Sequence, residues 1–219
     1  MSGSHEHEPI RGLPELLPEG ERILWQGAPS WPSLARNALH INKVAAYFSL
    51  LLAWRLISLF TETAAPPAQA LAAALWPLPL AFIVLGFIAL FAWLIERTTV
   101  YTLTNRRIVM RIGVALSMTM NFPFRVIASA DLVTFANGTG NLPFRLGSAD
   151  HVAYLTLWPH ARPWRFAKSE PMLRCIPNAA HVAALLAEAL REYHSAHPAS
   201  AATTSPSNAP VVPPLASSL

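Results

Sequence analysis

The chain has 219 residues, of which 53% are hydrophobic and only 13% charged, whereas an ordinary soluble domain carries about 25% charge. The apolar residues are concentrated between 44 and 95, so composition excludes a uniformly soluble globule and points to a membrane anchor joined to a soluble domain. The formal net charge of +4 comes without a Lys or Arg run, zinc-finger spacing or a glycine-aromatic RNA-binding signature, which leaves nucleic acid without a reader.

Residues 1–20 carry acids and prolines without an apolar core, which predicts a mobile tail and not a cleavable signal peptide. Membrane insertion then relies on internal segments. The run ERILWQGAPS (21–30) is short, apolar and stopped by Gly27 and Pro29, as in a strand or a docked arm. Over 31–43, Leu34, Ala38 and Ile41 share one side at helical spacing and Arg36, His40 and Lys43 another, with Ser30 or Ser33 available as N-cap. The segment 21–43 therefore reads as an arm ending in an amphipathic helix in the headgroup plane, or alternatively as a helix packed on the soluble domain.

Two membrane spans follow. Residues 44–60 are 17 positions interrupted only by Arg55, and residues 71–95 are 25 positions without a formal charge, against about 20 needed to cross the hydrocarbon. Pro77 and Pro79 are tolerable near a helix start, so the regular part of the second span is predicted to begin around Trp76. Trp54, Trp76 and Trp93 lie toward segment ends, where indole rings favour the interface. The connection 61–70 has no Lys or Arg, whereas Arg36 and Lys43 precede the first span and Arg97, Arg106, Arg107 and Arg111 follow the second. Both termini are expected in the cytoplasm, with the Pro66-Pro67 loop outside.

From residue 98 the pattern turns toward alternation. Residues 99–102, 108–112, 116–120, 125–129 and 152–158 read as strands, with turns at Asn105, Gly113, Pro123, the cluster NGTGN (137–141) and Pro159. The lone Cys175, within the apolar run 172–176, excludes an internal disulfide and reads as a small buried strand residue. Residues 178–197 place Val182, Leu185, Leu186, Ala189, Leu190 and Tyr193 on one face of a helix capped by Asn178. The expected fold is an α+β membrane protein: a two-helix transmembrane hairpin (44–95) plus a β-rich barrel or sandwich (98–197) closed by a C-terminal helix. Between 98 and 197 ten Arg or Lys stand against five Asp or Glu, so this domain is drawn to an anionic leaflet or an acidic partner. Residues 198–219 are Ala, Ser, Pro and Thr rich and read as a disordered tail.

No Gly-x-Ser-x-Gly, Walker A, dinucleotide fingerprint, His-Glu-x-x-His or paired-cysteine motif occurs, so no catalytic or metal site is expected. His5 with His7, and His194 with His197, flank terminal tails without a convincing third ligand, and Asp131 and Asp150 read as solvated carboxylates. Neither span contains the histidine that a bilayer haem or bacteriochlorophyll usually takes as axial ligand, so no cofactor is expected. Within the first span Ala45, Ser49 and Ala53 recur every four residues, a small-residue row that admits close approach by the second span or by another chain. Arg55 lies about 200° around the helix from Ala53. It either snorkels to the interface or meets a carboxylate or lipid phosphate of a partner.

The run YTLTNRRIVMRIG (101–113), directly after a hydrophobic hairpin, resembles the bacterial pleckstrin-homology-like domains of small membrane proteins. With LPEGERILWQGAP (17–29) and KVAAYFSLLLAWR (43–55), the likeness extends to the PuhB photosynthetic-complex assembly proteins of purple bacteria, over roughly residues 13 to 195. The resemblance implies a PH-like domain and a role in maturation of the photosynthetic reaction centre, with a secondary influence on the core light-harvesting complex. It also implies reaction-centre and light-harvesting partners, self-association and residence in the photosynthetic inner membrane. It brings no catalytic residues. The rival reading is a membrane-tethered module that senses anionic lipids through Arg106, Arg107 and Arg111, and an enzyme is the third.

Overall fold

The computed structural model describes residues 12–13, 15–61, 68, 71–72, 75–114, 116–147, 154–163 and 169–197. The expected tail 198–219, the His5–His7 pair, Asp150, the Pro66-Pro67 loop and most of residues 1–20 lie outside them. In chain order the elements are β1 (Ile23–Gly27), α1 (Trp31–Ser33) continued by a π-helical turn (Leu34–Ala38), α2 (Ile41–Thr61) and α3 (Pro77–Thr98). There follow β2 (Val100–Thr104), β3 (Arg107–Ile112), β4 (Met118–Pro123), a 3-10 turn (Phe124–Val126), β5 (Ile127–Ala130), β6 (Val133–Thr134), β7 (Gly140–Leu146), α4 (Tyr154–Leu157), β8 (Met172–Ile176) and α5 (Ala179–Ala196).

α3 starts with Pro77 in its first turn, where a missing N–H costs nothing, and ends where Thr99 turns extended while its N–H still bonds the Ile95 carbonyl. Among the described residues it is the helix long and apolar enough to cross a membrane, with a mean hydropathy of 2.6 and only 17% of that stretch buried. A core helix of a soluble protein would be mostly buried. Here Phe82, Ile83, Phe87 and Leu90 are exposed, and on α2 so are Tyr47, Leu50, Trp54 and Ile57 at helical spacing.

The soluble part is two antiparallel sheets. One has the order β1-β2-β3-β4; in the other β7 is central, with β5 and then β6 along one edge and β8 along the other. Their inner faces share one core that includes Tyr101, Ile108, Met110, Phe122, Phe124, Phe144 and Leu173, closed by Val182, Leu186 and Ala189 of α5. This is the α+β sandwich with a terminal helix that the sequence predicts. The helix start lies hard against β7: a Cβ on Gly140 would fall 2.7 Å from the Ala179 Cβ and 2.5 Å from the Val133 carbonyl oxygen.

Several local expectations are corrected. Residues 154–157 form one helical turn and not a strand, because Leu157 points into the core while Trp158 turns out to stack on Phe91 of α3 at 6.0 Å; residues 152–153 lie outside the described part. The strand expected at 116–120 is displaced to Met118–Pro123, since Gly113, at φ 121°, begins a turn so tight that its Cβ position lies 1.9 Å from the Leu116 carbonyl oxygen. The strand at 125–129 starts only at Ile127, after the 3-10 turn. Asn178 sits in the left-handed region at φ 50° and makes no side-chain cap; its backbone carbonyl instead accepts from His181 and Val182.

The β2–β3 turn is tied to the N-terminal arm. Asn105 accepts from the Arg22 N–H and donates to the Gly20 carbonyl, and Arg107 forms a bidentate pair with Glu21 at 2.7 and 2.8 Å. The Glu21 side chain is only 2% exposed and Arg107 26%. Glu21→Ala is expected to cost roughly 1–3 kcal/mol, the lower end because water reaches Arg107. Exposed Glu19→Ala should change stability by no more than about 0.5 kcal/mol. Thermal unfolding of the two variants checks this, and equal shifts would deny the pair its structural role.

Candidate functional site

The hairpin meets the domain through α1 and its π-helical turn. Leu34 and Ala35 are buried against Ala92 and Ile95 of α3 and Cys175 of β8, with Ala38, Leu39, Ile41, Phe91 and Phe135 packed around them. The apolar side of the segment 31–43 thus faces protein, as in the alternative of a helix packed on the domain. His40, at φ 55°, breaks it from α2. Ser33, one of the two expected N-caps, instead bonds Thr139 at 2.6 Å across this junction, and Ser30 makes no side-chain cap.

Cys175 is fully buried on β8, and burial pushes its thiol up, against a hydrogen bond from Ser33 and the nearby Arg174 guanidinium. Its backbone is left-handed, φ 49°, beside the register shift between Gly140 and Leu142. There the Cys175 N–H donates to Asn141 Oδ1 and its carbonyl accepts from Ser30.

Beside this latch runs a buried polar chain that sequence reading missed. Tyr101 and His160 Nδ1 are 2.5 Å apart, Thr99 Oγ1 lies 3.4 Å from His160 Nε2, and the Arg174 N–H donates to the Tyr101 oxygen at 3.3 Å. Burial, with the Arg174 charge, lowers the His160 pKa to about 3, and burial raises that of Tyr101. The imidazole is thus neutral. A neutral imidazole has one N–H and one acceptor nitrogen, so Tyr101 and Thr99 meet its two ends in opposite roles. Arg174 also donates to the Pro159 carbonyl. No motif marks these residues, which only the packing of β2, β8 and the α4 turn brings together.

The predicted site residues divide. Ala45 and Ser49 line a groove of about 150 Å³ with Phe48, Leu52, Pro77 and Ala81 between α2 and α3, whereas Ala53 is exposed beyond it. Phe48 and Leu52 are half-buried along this groove, and Arg55, three residues beyond Leu52 on the helix, is half-buried too. Strand register separates the expected lipid-reading arginines. Val100, where α3 enters the sheet, pairs with Arg111, while Leu103 pairs with Ile108 at the other end. Arg111 therefore sits at the hairpin end, and Arg106 and Arg107 about 13 Å away along the strand. Arg107 is held by Glu21. Arg36, Lys43 and Arg97 are exposed at the hairpin end, with the Arg97 guanidinium 5.1 Å above the Trp93 ring. Exposed Trp31 and Trp158 belong to the same end.

Other charges of the domain neutralise one another. Arg162 and Arg145 bind Glu170 at 2.8 and 3.3 Å and reach Asp131 at 3.4 and 3.6 Å. Among the described residues no three His, Cys, Asp or Glu converge on a metal-sized space. His194 and His197 both lie against the Tyr193 ring.

Two four-stranded sheets, a closing helix and an apolar hairpin latched to one end define a β-sandwich protein with a helical extension suited to a membrane. The chain belongs to the bacterial PH domain family, whose model matches residues 44–190 and so takes in hairpin and sandwich together. It is similar to the "Uncharacterized 23.7 kDa protein in puhA 5'region" of Rhodobacter capsulatus, at 40% identity over 185 residues, covering 84% of this chain and 86% of the relative. No solved structure matches.

Proposed function

We propose that the protein is a non-catalytic membrane assembly factor that promotes maturation of the photosynthetic reaction centre, with a secondary effect on the core light-harvesting complex. The observation that carries this reading is the 40% identity, over most of both chains, to a protein whose name places it in the puhA 5' region. It agrees with the likeness to PuhB proteins. In this reading α2 joins α3 as a second span. The apolar ridges of Tyr47, Leu50, Trp54 and Ile57 and of Phe82, Ile83 and Phe87 offer incoming subunit helices a surface within the bilayer. The partners are reaction-centre subunits, core light-harvesting proteins, anionic lipids and a second copy of the chain. Copurification with unassembled reaction-centre subunits is the expected result, and its absence under gentle solubilisation would count against the scaffold.

A second reading is a membrane-tethered PH-like module that binds anionic lipid or another membrane protein. It is favoured by the grouping of Arg36, Lys43, Arg97 and Arg111 at the hairpin end. Saturable headgroup selectivity in liposome binding would support it.

Both readings place α2 and α3 across the inner membrane with the two termini in the cytoplasm. A cysteine at exposed Ala68, in the connection, is expected to react with an impermeant thiol reagent from outside, while the fully buried Cys175 stays silent. Reaction from the cytoplasmic side alone would overturn this topology.

A further inference from the structure

The β3–β4 turn presents apolar side chains at the protein surface. Leu116 is 86% exposed, Met118 47% and Val114 38%. Between Arg111 and Arg125 the sequence carries no charged residue. A solvated turn would ordinarily be polar, and the glycine at 113 shows that this one is folded tightly and not merely slack.

Its position gives the exposure a direction. α3 ends at Thr98 and enters the sheet at Val100, which pairs with Arg111. Ile112 then pairs with Met118, so the turn between them leaves the sheet at the edge where α3 arrives. Gly27 of β1 pairs with Tyr101 at that same edge before the chain passes into α1. The level of the turn is that of the last turn of α3, where Arg97 covers Trp93 as a residue at headgroup depth would.

We propose that the β3–β4 turn is a wedge that dips into the membrane beside α3, carrying Val114, Leu116 and Met118 into the boundary between headgroups and acyl chains. The inference rests on α3 crossing the bilayer. Lipid is the occupant because the apolar tip continues the surface of the helix end it adjoins, with Arg111 at the base of the strand level with the headgroups. The wedge gives the sandwich a second point of contact with the leaflet beside the end of α3.

The test uses full-length protein in nanodiscs of phosphatidylcholine with phosphatidylglycerol as the minor lipid. Spin labels are attached at Leu116→Cys, at Phe87→Cys on the exposed face of α3 and at Arg106→Cys on the far end of the same sheet. Collision with oxygen and with a water-soluble nickel chelate is measured at each. The expected result is a several-fold higher oxygen-to-nickel collision ratio at 116 than at 106, with 87 higher still. A 116 label as accessible to nickel as that at 106, while 87 remains in lipid, would overturn the wedge and leave the span intact. A 116 label shielded from both reagents would mean contact with a second copy, and would also overturn it. Nickel access at 87 would remove the span and the wedge together. Because Leu116 is nearly fully exposed, its replacement does not endanger folding.

Discussion

Acidification is expected to destabilise the sandwich through a single buried imidazole. His160 is 1% exposed and titrates near pH 3 in the folded chain, through burial and then the Arg174 charge, against about 6.5 when unfolded. Below pH 6.5 the unfolded chain binds a proton that the folded one refuses. Stability from this group is therefore fully present above the unfolded value and is lost as pH falls toward the folded one, by about 1.4 kcal/mol per pH unit. His160→Gln keeps a neutral side chain able to meet Tyr101 and Thr99 and removes this titration. Carboxylates also titrate in this range, so the readout is the difference between variants. Between pH 7.5 and 4.5 the parent should lose roughly 3 kcal/mol more than the variant. Denaturant unfolding in detergent at the two pH values measures it, and parallel pH profiles would show that His160 is not held neutral.

The large features of this fold were legible because they rest on long-range pattern. Apolar runs, charge-free over 71–95 and interrupted only by Arg55 over 44–60, predict two long helices, and an amphipathic face over 178–197 predicts α5, whose Val182, Leu186 and Ala189 are indeed buried. The central strand β7 was not legible. It contains Gly140 and Pro143, which by themselves speak against an interior strand, yet Pro143 pairs with Met172 and its carbonyl accepts from Asp131. Tertiary pairing overrides the local signal. The same holds for Tyr154–Leu157, where strand-forming residues make a helical turn because Leu157 must reach the core. Charge counting along the chain placed Arg106, Arg107 and Arg111 together, since they are close in sequence. Arg106 lies in the β2–β3 turn while Arg107 and Arg111 stand toward opposite ends of β3, and only the register reveals that Arg111 returns to the hairpin end.

Deletion of the protein is expected to lower the steady-state amount of reaction centre several-fold, while subunit transcripts and pigment supply change little. Unpaired subunit helices carry polar and pigment-binding positions that are costly to leave in lipid, so a delay in partnering exposes them to degradation. A pulse-chase of reaction-centre subunits in the deletion strain should therefore show shortened lifetimes before assembly. Restoring residues 1–97 alone is expected to rescue poorly, for a reason the junction supplies. Leu34, Ala92 and Ile95 pack against Cys175 and Phe135 of the sandwich, and without them the hairpin exposes its latch and loses the element that orients it. Leu34→Ala in the full chain is a milder version of the same lesion, costing about 2–5 kcal/mol, and should reduce complex levels less than the truncation does. Full rescue by residues 1–97 would mean that the hairpin alone suffices. Normal subunit lifetimes and complex levels in the deletion strain would sink the assembly reading and put the lipid-binding module, with Arg36, Lys43, Arg97 and Arg111 as its contact residues, in its place.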